Sequence, residues 1–266
     1  MQLRRLTSAV LALLTTACLP GETRTLPGLL EVSVVASHRL DTAAPFETDD
    51  GWALWLDPVL ISLGELELSG DDCDPYSESR YQRILSLGGP EPQRLSQTYA
   101  LGTCELSFEV AGPGWNTVLG QDVPAEIELL FRSPGSDGEH QGGVALLMEG
   151  RAERDGERKT FSWAFRPRLQ FETCRLHSDH DDPRPLTLAS GERSELTLEV
   201  DPTQLFRREE SSGISFAPFA VADDQTSGEG GAITLAELAE TPVFDELYFN
   251  RLPRIVRLRA GTCSAR

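Results

Sequence analysis

Residues 143–171 read GVALLMEGRAERDGERKTFSWAFRPRLQF. Apolar and polar residues alternate on both sides of Asp155-Gly156, which predicts two strands, 143–154 and 158–171. An Asp-Gly pair between alternating segments is the strongest short-range signal for a β-hairpin. One face of the second strand is aromatic and is therefore predicted to lie in the core; its residues are Phe161, Trp163 and Phe165.

Segments with the same two-residue period lie before and after this hairpin, separated by turns rich in Gly, Pro, Asp and Ser. The predicted strands are 30–34, 52–56, 59–68, 104–110, 126–132 and 194–200. In segment 59–68, one face is predicted to carry Leu60, Ser62, Gly64, Leu66 and Leu68. Many short alternating strands with turns between them predict a mainly β fold, an antiparallel β-sandwich.

The last part of the chain, residues 201–266, shows start signals for helices instead of strand patterns. Asp201-Pro202 places an N-cap residue before a proline at the first helical position. Thr234 and Glu237 have the spacing of a capping box, and Thr241-Pro242 begins a further short helix. We therefore expect a β-sandwich body over residues 29–200, followed by a C-terminal section with short helices.

The beginning of the chain has the features of an export signal. Two arginines, Arg4 and Arg5, precede the apolar run 6–14, and small residues precede Cys18. This order is typical of a secretory signal peptide, and the run is too short for a transmembrane helix. The cysteine directly after the small residues resembles the signal of bacterial lipoproteins.

This resemblance implies that residues 1–17 are removed and that Cys18 carries lipid. Residues 18–28 contain two Pro-Gly pairs and are predicted to form a tether between the lipid and the folded body. The predicted location is the cell envelope, and Leu19 after the cysteine is similar to the signal for the outer membrane. The membrane is thus an expected partner, reached through the N-terminal lipid.

Four further cysteines form an even set, which in an exported chain predicts disulfide bonds. Three connectivities are possible. The pairs Cys73–Cys104 and Cys174–Cys263 are favoured, because the first flanks one strand-rich stretch and the second ties the C-terminus to the body.

The charge and the motifs limit the possible functions. The chain has 42 acidic and 24 basic residues, a net charge of −18, which argues against nucleic acid as a partner. The sequence contains no GxSxG, HExxH, P-loop or GxGxxG motif. We therefore expect a non-enzymatic binding module for an envelope protein or polysaccharide. A metal-binding envelope protein is one alternative, and a carboxylate-based hydrolase of envelope or extracellular polymers is another.

Residues 223–238 resemble a degenerate calcium loop of the EF-hand or dockerin type. Glu237 has the position of the bidentate closing glutamate, and Gly231 and Ile233 match the loop as well. The first half of the loop lacks carboxylates at the expected positions. The candidate calcium ligands, which need altered spacing, are Asp223, Asp224, Glu229 and Glu237. No cofactor is required by the sequence, and the alternative is a Gly-rich loop before a capped helix without metal.

The order of features from residue 200 onward is similar to uncharacterised lipoproteins of soil bacteria such as myxobacteria. A strand ends at Val200-Asp201, the pair Leu205-Phe206 follows, and the apolar stretch 214–222 precedes the loop from Asp223. The resemblance implies this architecture and no activity.

A second candidate metal site lies in the sequence HSDHDD, residues 177–182. His177 and His180, with carboxylates between and after them, are ligands that zinc or copper accepts. The alternative is a polar turn that ends at Pro183.

Packing is the expected role of all four tryptophans, Trp52, Trp55, Trp115 and Trp163. Trp52 and Trp55 are three residues apart and face opposite sides of a strand. One of them is therefore predicted to lie in the core, and the other is a candidate surface platform for a sugar ring.

Overall fold

The structure is a computed structural model that describes most of the chain after the predicted tether. It describes residues 25–37, 44–89, 91–133, 143–177, 183–207, 213–226 and 232–266. The predicted signal peptide and Cys18 lie outside the described residues. Among the described residues, no helix has the length and apolar character needed to cross a membrane.

Strands dominate the described residues, and the short helices occur mostly near the C-terminus. The strands are β1 (Gly28–Ala36), β2 (Phe46–Glu47), β3 (Ala53–Ser69), β4 (Cys73–Pro75), β5 (Ser79–Ser86), β6 (Gln93–Val110), β7 (Val118–Leu119), β8 (Leu146–Arg154), β9 (Glu157–Phe165), β10 (Leu169–His177), β11 (Pro183–Arg184), β12 (Leu186–Leu188), β13 (Arg193–Val200), β14 (Ala232–Thr234), β15 (Val256–Leu258) and β16 (Gly261–Ala265). The α-helices are α1 (Ala125–Arg132), α2 (Ala217–Thr226), α3 (Leu235–Leu238) and α4 (Pro242–Asp245), with 3₁₀ turns at Pro202–Phe206 and Leu252–Arg254 and a π-helical turn at Glu246–Arg251. The predicted mainly β class is confirmed.

One long strand, β6, belongs to both sheets of the fold. Residues 93–104 of β6 pair with β1, β4 and β12, and β1 is followed by β13 and β15. Residues 106–110 of β6 pair with β3 and β10, and β3 connects further to β5, β8 and β9. Residues of both sheets join one apolar cluster, which is the arrangement of a sandwich.

Most neighbouring strands are antiparallel, as predicted, but three pairs are parallel. They are β1 with β13, β5 with β7, and β9 with β14. The sequence pattern did not indicate them, because parallel partners are joined by long crossover connections instead of tight turns.

The predicted hairpin is confirmed and lies at the centre of the core. β8 and β9 pair antiparallel, and Asp155 and Gly156 between them both have positive φ, 53° and 86°, as a two-residue hairpin turn requires. The aromatic face of β9 is buried. Its Trp163 ring lies 5.7 Å from the ring of Phe206, so the C-terminal section packs against the hairpin and completes the core.

The predicted helix starts in the C-terminal section are present. The Asp201 carboxylate accepts a hydrogen bond from the Thr203 amide at 3.1 Å. Thr234 and Glu237 form the capping box at the start of α3, and Pro242 is the first residue of α4. The section is not only helical, because it also supplies β14, β15 and β16 to the sheets.

The predicted strand 126–132 is wrong, since these residues form helix α1. Ile127 and Phe131 are spaced four residues apart, so one helix face covers a small apolar cluster with Val144. Leu129, which alternates with them in sequence, is exposed on the opposite side. Three apolar residues at every second position are too few to distinguish the two-residue period of a strand from the 3.6-residue period of a helix.

The prediction that the alternate residues from Leu60 to Leu68 share one face of a strand is also wrong. Leu60 joins the small cluster under α1, whereas Leu66 and Leu68 join the main core together with Ile61. The pairing of β3 with β5 shifts between Gly64 and Leu66, and its pairing with β6 shifts at the same place. One extra residue in a strand moves every following side chain to the other face.

The predicted strand 158–171 is interrupted. β9 ends at Phe165, and β10 begins at Leu169 to pair with β6 and β16. Pro167 lies in the gap, where its missing amide hydrogen prevents a continuous ladder. At Arg166-Pro167-Arg168 the chain therefore ends its pairing with β8 and begins to pair with β6 and β16.

Both favoured disulfide bonds are present. Cys73–Cys104 joins β4 to β6 at the point where β6 passes from one sheet to the other. Cys174–Cys263 joins β10 to β16 and fixes the C-terminal strand. The pairing prediction is confirmed.

Candidate functional site

The carboxylates proposed to start a calcium loop are bound by a lysine. Lys159, the only lysine in the chain, places its Nζ 2.8 Å from the Asp223 carboxylate and 2.6 Å from the Asp224 carboxylate. These hydrogen bonds raise the pKa of Lys159. An ammonium group thus holds the position that a cation would need between the two aspartates.

The proposed closing ligand, Glu237, has a structural role in the same region. Its carboxylate accepts hydrogen bonds from the Thr234 amide at 2.7 Å and the Thr234 hydroxyl at 3.0 Å. Glu229 lies outside the described residues. The structure therefore accounts for three of the four candidate calcium ligands by contacts within the protein.

The histidine candidate is described only in part. His177 ends β10, and its Nε2 lies 3.3 Å from the hydroxyl of Thr262. His180 and the neighbouring acidic residues lie outside the described residues. In the ranges that the structure describes, no three His, Cys, Asp or Glu side chains form a group that could hold a metal ion.

The tryptophans have three different environments. Trp52 and Trp163 are buried, as predicted. Trp55 is the outward-facing member of the pair Trp52 and Trp55, of which one was predicted to face outward, and the Arg151 guanidinium covers its ring at 4.3 Å from the centroid. The predicted packing of Trp115 is wrong, because 91% of this residue is exposed.

Trp115 is next in sequence to a residue that lines a large cleft. Its neighbour Gly114 lines this cleft, which has a volume of about 780 Å³. An adjoining concavity of about 220 Å³ shares two lining residues with it, Glu65 and Glu109, so these two carboxylates border both parts of the cleft. The principal polar and aromatic side chains of the larger part are Glu65, Gln82, Glu109, Arg166, Arg168 and Tyr248.

Glu65 is the extra residue of the β3 bulge. Its φ is 49°, in the left-handed region that residues other than glycine seldom adopt. Burial raises the pKa of the Glu65 carboxyl, and the nearby charge of Glu109 raises it further. A strained residue with a perturbed carboxyl in a cleft is a functional candidate, because such strain persists where the surrounding structure imposes it.

The other carboxylate, Glu109 of β6, is buried and has a partner. The guanidinium of Arg168 donates hydrogen bonds to both of its carboxylate oxygens. Arg166, two residues earlier, donates to the carbonyl oxygen of Ser133 after α1. The break at Pro167 thus directs two arginines into the cleft, and each is fixed by a contact with the protein.

The loop that presents Trp115 is held at several points. Arg132 at the end of α1 donates a hydrogen bond to the Gly114 carbonyl at 2.7 Å, and the Thr117 hydroxyl donates to the same oxygen at 2.9 Å. The Asn116 amide donates to the carbonyl oxygen of Arg80 on β5. An exposed indole on a fixed loop is suited to contact a ligand without a large loss of conformational entropy.

The π-helical turn Glu246–Arg251 contributes Tyr248 to the lining of the cleft. Tyr248 lies on this turn and stacks on Phe244, with the ring centroids 5.4 Å apart. Its neighbour Phe249 is 71% exposed. Arg251 anchors the turn through a hydrogen bond to the Leu205 carbonyl at 2.7 Å. Single π-helical turns are frequent at functional sites.

Comparisons with known proteins leave the family of this chain open. No protein-family model matches the sequence, and no curated protein matches it. The structure is similar to MbnP from Methylosinus trichosporium, with a TM-score of 0.35 and 16% sequence identity over 84% of this chain and 88% of that chain. A TM-score this low carries no argument about function.

We predict that replacing Lys159→Gln lowers the free energy of unfolding by about 2 kcal/mol, because nearly buried Asp223 loses a charged donor. The neighbouring control Arg158→Gln should change it by less than about 0.5 kcal/mol, since Arg158 is largely exposed. Guanidinium unfolding measures the free energy of unfolding of both variants.

Millimolar calcium should not change the melting temperature of the unchanged protein. A calcium shift that Glu237→Ala removes would contradict this reading of the loop.

The raised pKa of Glu65 predicts a pH-dependent stability difference between the protein and Glu65→Gln. Because the folded-state pKa is above the ordinary 4.5, the ionised carboxyl costs stability as the pH rises through the folded value. The variant should melt about 1–2 °C higher at pH 7, a small shift because water screens this half-exposed charge. Below pH 4.5 the two should converge. Calorimetric melting across this range measures the effect, and a less stable variant at pH 7 would disprove it.

Proposed function

We propose that the protein is a lipid-anchored binding module of the cell envelope and that the Glu65 cleft binds a polysaccharide. The observation that carries the proposal is the composition of this cleft. Tyr248 and planar polar side chains line it, and two exposed aromatic residues, Trp115 and Phe249, are next in sequence to its lining residues Gly114 and Tyr248. A well-formed concave site with convergent polar groups is the default place for a ligand.

The chemistry of a sugar ring matches this lining. The C–H groups on the face of a sugar pack against an aromatic ring, and its hydroxyl groups lie at the edge. The cleft offers planar hydrogen-bond donors and acceptors for these hydroxyl groups, from Gln82, Glu109 and the arginines. The open shape of the cleft suits a chain that enters and leaves, as an envelope polysaccharide does.

The anchoring part of the proposal is supported by the start of the sequence. Arg4 and Arg5, the apolar run 6–14 and Cys18 have the order of a bacterial lipoprotein signal. β1 begins at Gly28, ten residues after Cys18. Ten extended residues span at most about 35 Å, so the lipid would hold the body near the surface of the outer membrane.

A second candidate function, hydrolysis, is favoured by one observation. Glu65 and Glu109 line the same cleft, and burial raises the pKa of the Glu65 carboxyl. Glycoside hydrolases use two carboxyl groups, of which the protonated one is the acid. Shorter oligosaccharides released from the bound polymer, and not released by Glu65→Gln, would assign the protein to this class.

We expect the protein to bind soluble glycan strands from peptidoglycan or cellohexaose in isothermal calorimetry. Trp115→Ala and Tyr248→Ala should each weaken binding about tenfold, since truncation of an aromatic anchor costs more than about 1 kcal/mol. The control Tyr76→Ala removes a half-exposed aromatic residue beside β4 and should bind normally. If the folded protein binds none of these saccharides, or binds them equally after both cleft substitutions, the proposal fails.

Replacing Cys18→Ser should abolish lipid attachment when the gene is expressed in a Gram-negative host. Labelled palmitate should appear in the unchanged protein and in the control Thr16→Ser, and should be absent from the cysteine variant. The unchanged protein should sediment with outer membranes, because acylation supplies the membrane affinity. A Cys18→Ser protein that stays in the membrane fraction would exclude the lipid as the anchor.

A further inference from the structure

The carboxylates of the cleft differ in how their charge is balanced. Glu109 is paired with Arg168, and Glu78 is paired with Arg80. Among the described residues, none donates a hydrogen bond to the Glu65 carboxylate or forms an ion pair with it. Glu65 is nevertheless half-buried. A carboxylate that is withdrawn from water without a donor carries a desolvation cost that a ligand group can remove.

The surroundings of Glu65 define what that ligand group should be. The charged groups that act on it are Glu109, Arg80 and Arg168. Both arginines already bind other carboxylates, Arg80 that of Glu78 and Arg168 that of Glu109, and neither forms an ion pair with Glu65. A positively charged hydrogen-bond donor on the ligand would provide the missing partner of the Glu65 carboxylate. It would also reduce the repulsion between Glu65 and Glu109.

The aromatic residues of the cleft favour the same chemistry. Tyr248 lines the cleft, and the Trp115 indole stands exposed beside it. The faces of Tyr and Trp rings attract ammonium groups through their quadrupole. The net charge of −18 adds a long-range attraction for a cationic polymer.

We propose that the cleft selects saccharides that carry a protonated amino group and that Glu65 binds this ammonium. The ligand class is a polymer with glucosamine-type units whose amino groups are not acetylated. This inference rests on the proposed polysaccharide binding and names the sugar. Among the carboxylates of the cleft, Glu67 is exposed to water, so half-buried Glu65 is the one that gains most from an ammonium partner.

The test compares three probes by isothermal calorimetry on the protein with both disulfides formed. The probes are a glucosamine hexamer, an N-acetylglucosamine hexamer and spermine, a cation without sugar rings. We expect the glucosamine hexamer to bind about tenfold or more tightly than the acetylated hexamer and than spermine. Glu65→Gln should remove most of this preference and leave only the weaker, salt-dependent attraction of the net charge.

The control variant is Glu195→Gln on β13, which removes the same charge from a strongly exposed position on the other sheet. It should keep the full preference for the glucosamine hexamer. Equal affinity of the unchanged protein for both hexamers would overturn the amino-sugar inference and leave saccharide binding standing. Spermine binding as tight as the glucosamine hexamer, or equal losses in both variants, would show general charge attraction and also overturn it. No binding of either hexamer would overturn the inference and the proposed function together.

Discussion

The fold depends on one strand, β6, that exchanges all its partners at a single point. Just before that point, Gly102 has a φ of 104°, and a Cβ there would lie 2.0 Å from the Asp72 carbonyl oxygen. Only glycine therefore allows β4 to approach β6 this closely. Cys104, two residues later, is fully buried and joins β4 through a disulfide. The two sheets are thus linked by a continuous strand, and a covalent bond fixes β4 to that strand next to the point where it changes sheets.

The neighbours of β6 in the second sheet adapt to the same exchange. β3 changes register at Glu65, and β10 changes register between Phe171 and Cys174. Each strand carries one residue with a φ of 49°, Glu65 in β3 and Thr173 in β10. Such a conformation costs of order 1–3 kcal/mol and persists because packing on both sides imposes it. At Glu65 the bulge also brings a carboxylate into the cleft, so the closure of the sandwich produces the site.

The sequence alone predicted those structural features that depend on residues close together in the chain. The Asp155-Gly156 hairpin, the capping box at Thr234 and the aromatic face of β9 follow from spacing along the chain, and all three are present. Register was predicted incorrectly in β3, because the bulge at Glu65 is imposed by pairing with two distant strands. For the same reason Glu65 could not be selected among 42 acidic residues. Pro167 was the one local signal near the cleft, since proline interrupts a ladder.

The central claim is that the cleft between the β3 bulge and the π-helical turn is the binding site. Titration of isotope-labelled protein with a glucosamine hexamer, followed by amide and indole resonances, tests it most directly. We predict that the shifts concentrate at Glu65, Glu109 and Tyr248 and at the indole of Trp115, which line or adjoin the cleft. Saturable shifts confined to other surfaces, such as the Arg151-covered face of Trp55, would contradict it. So would a complete absence of shifts in the folded protein.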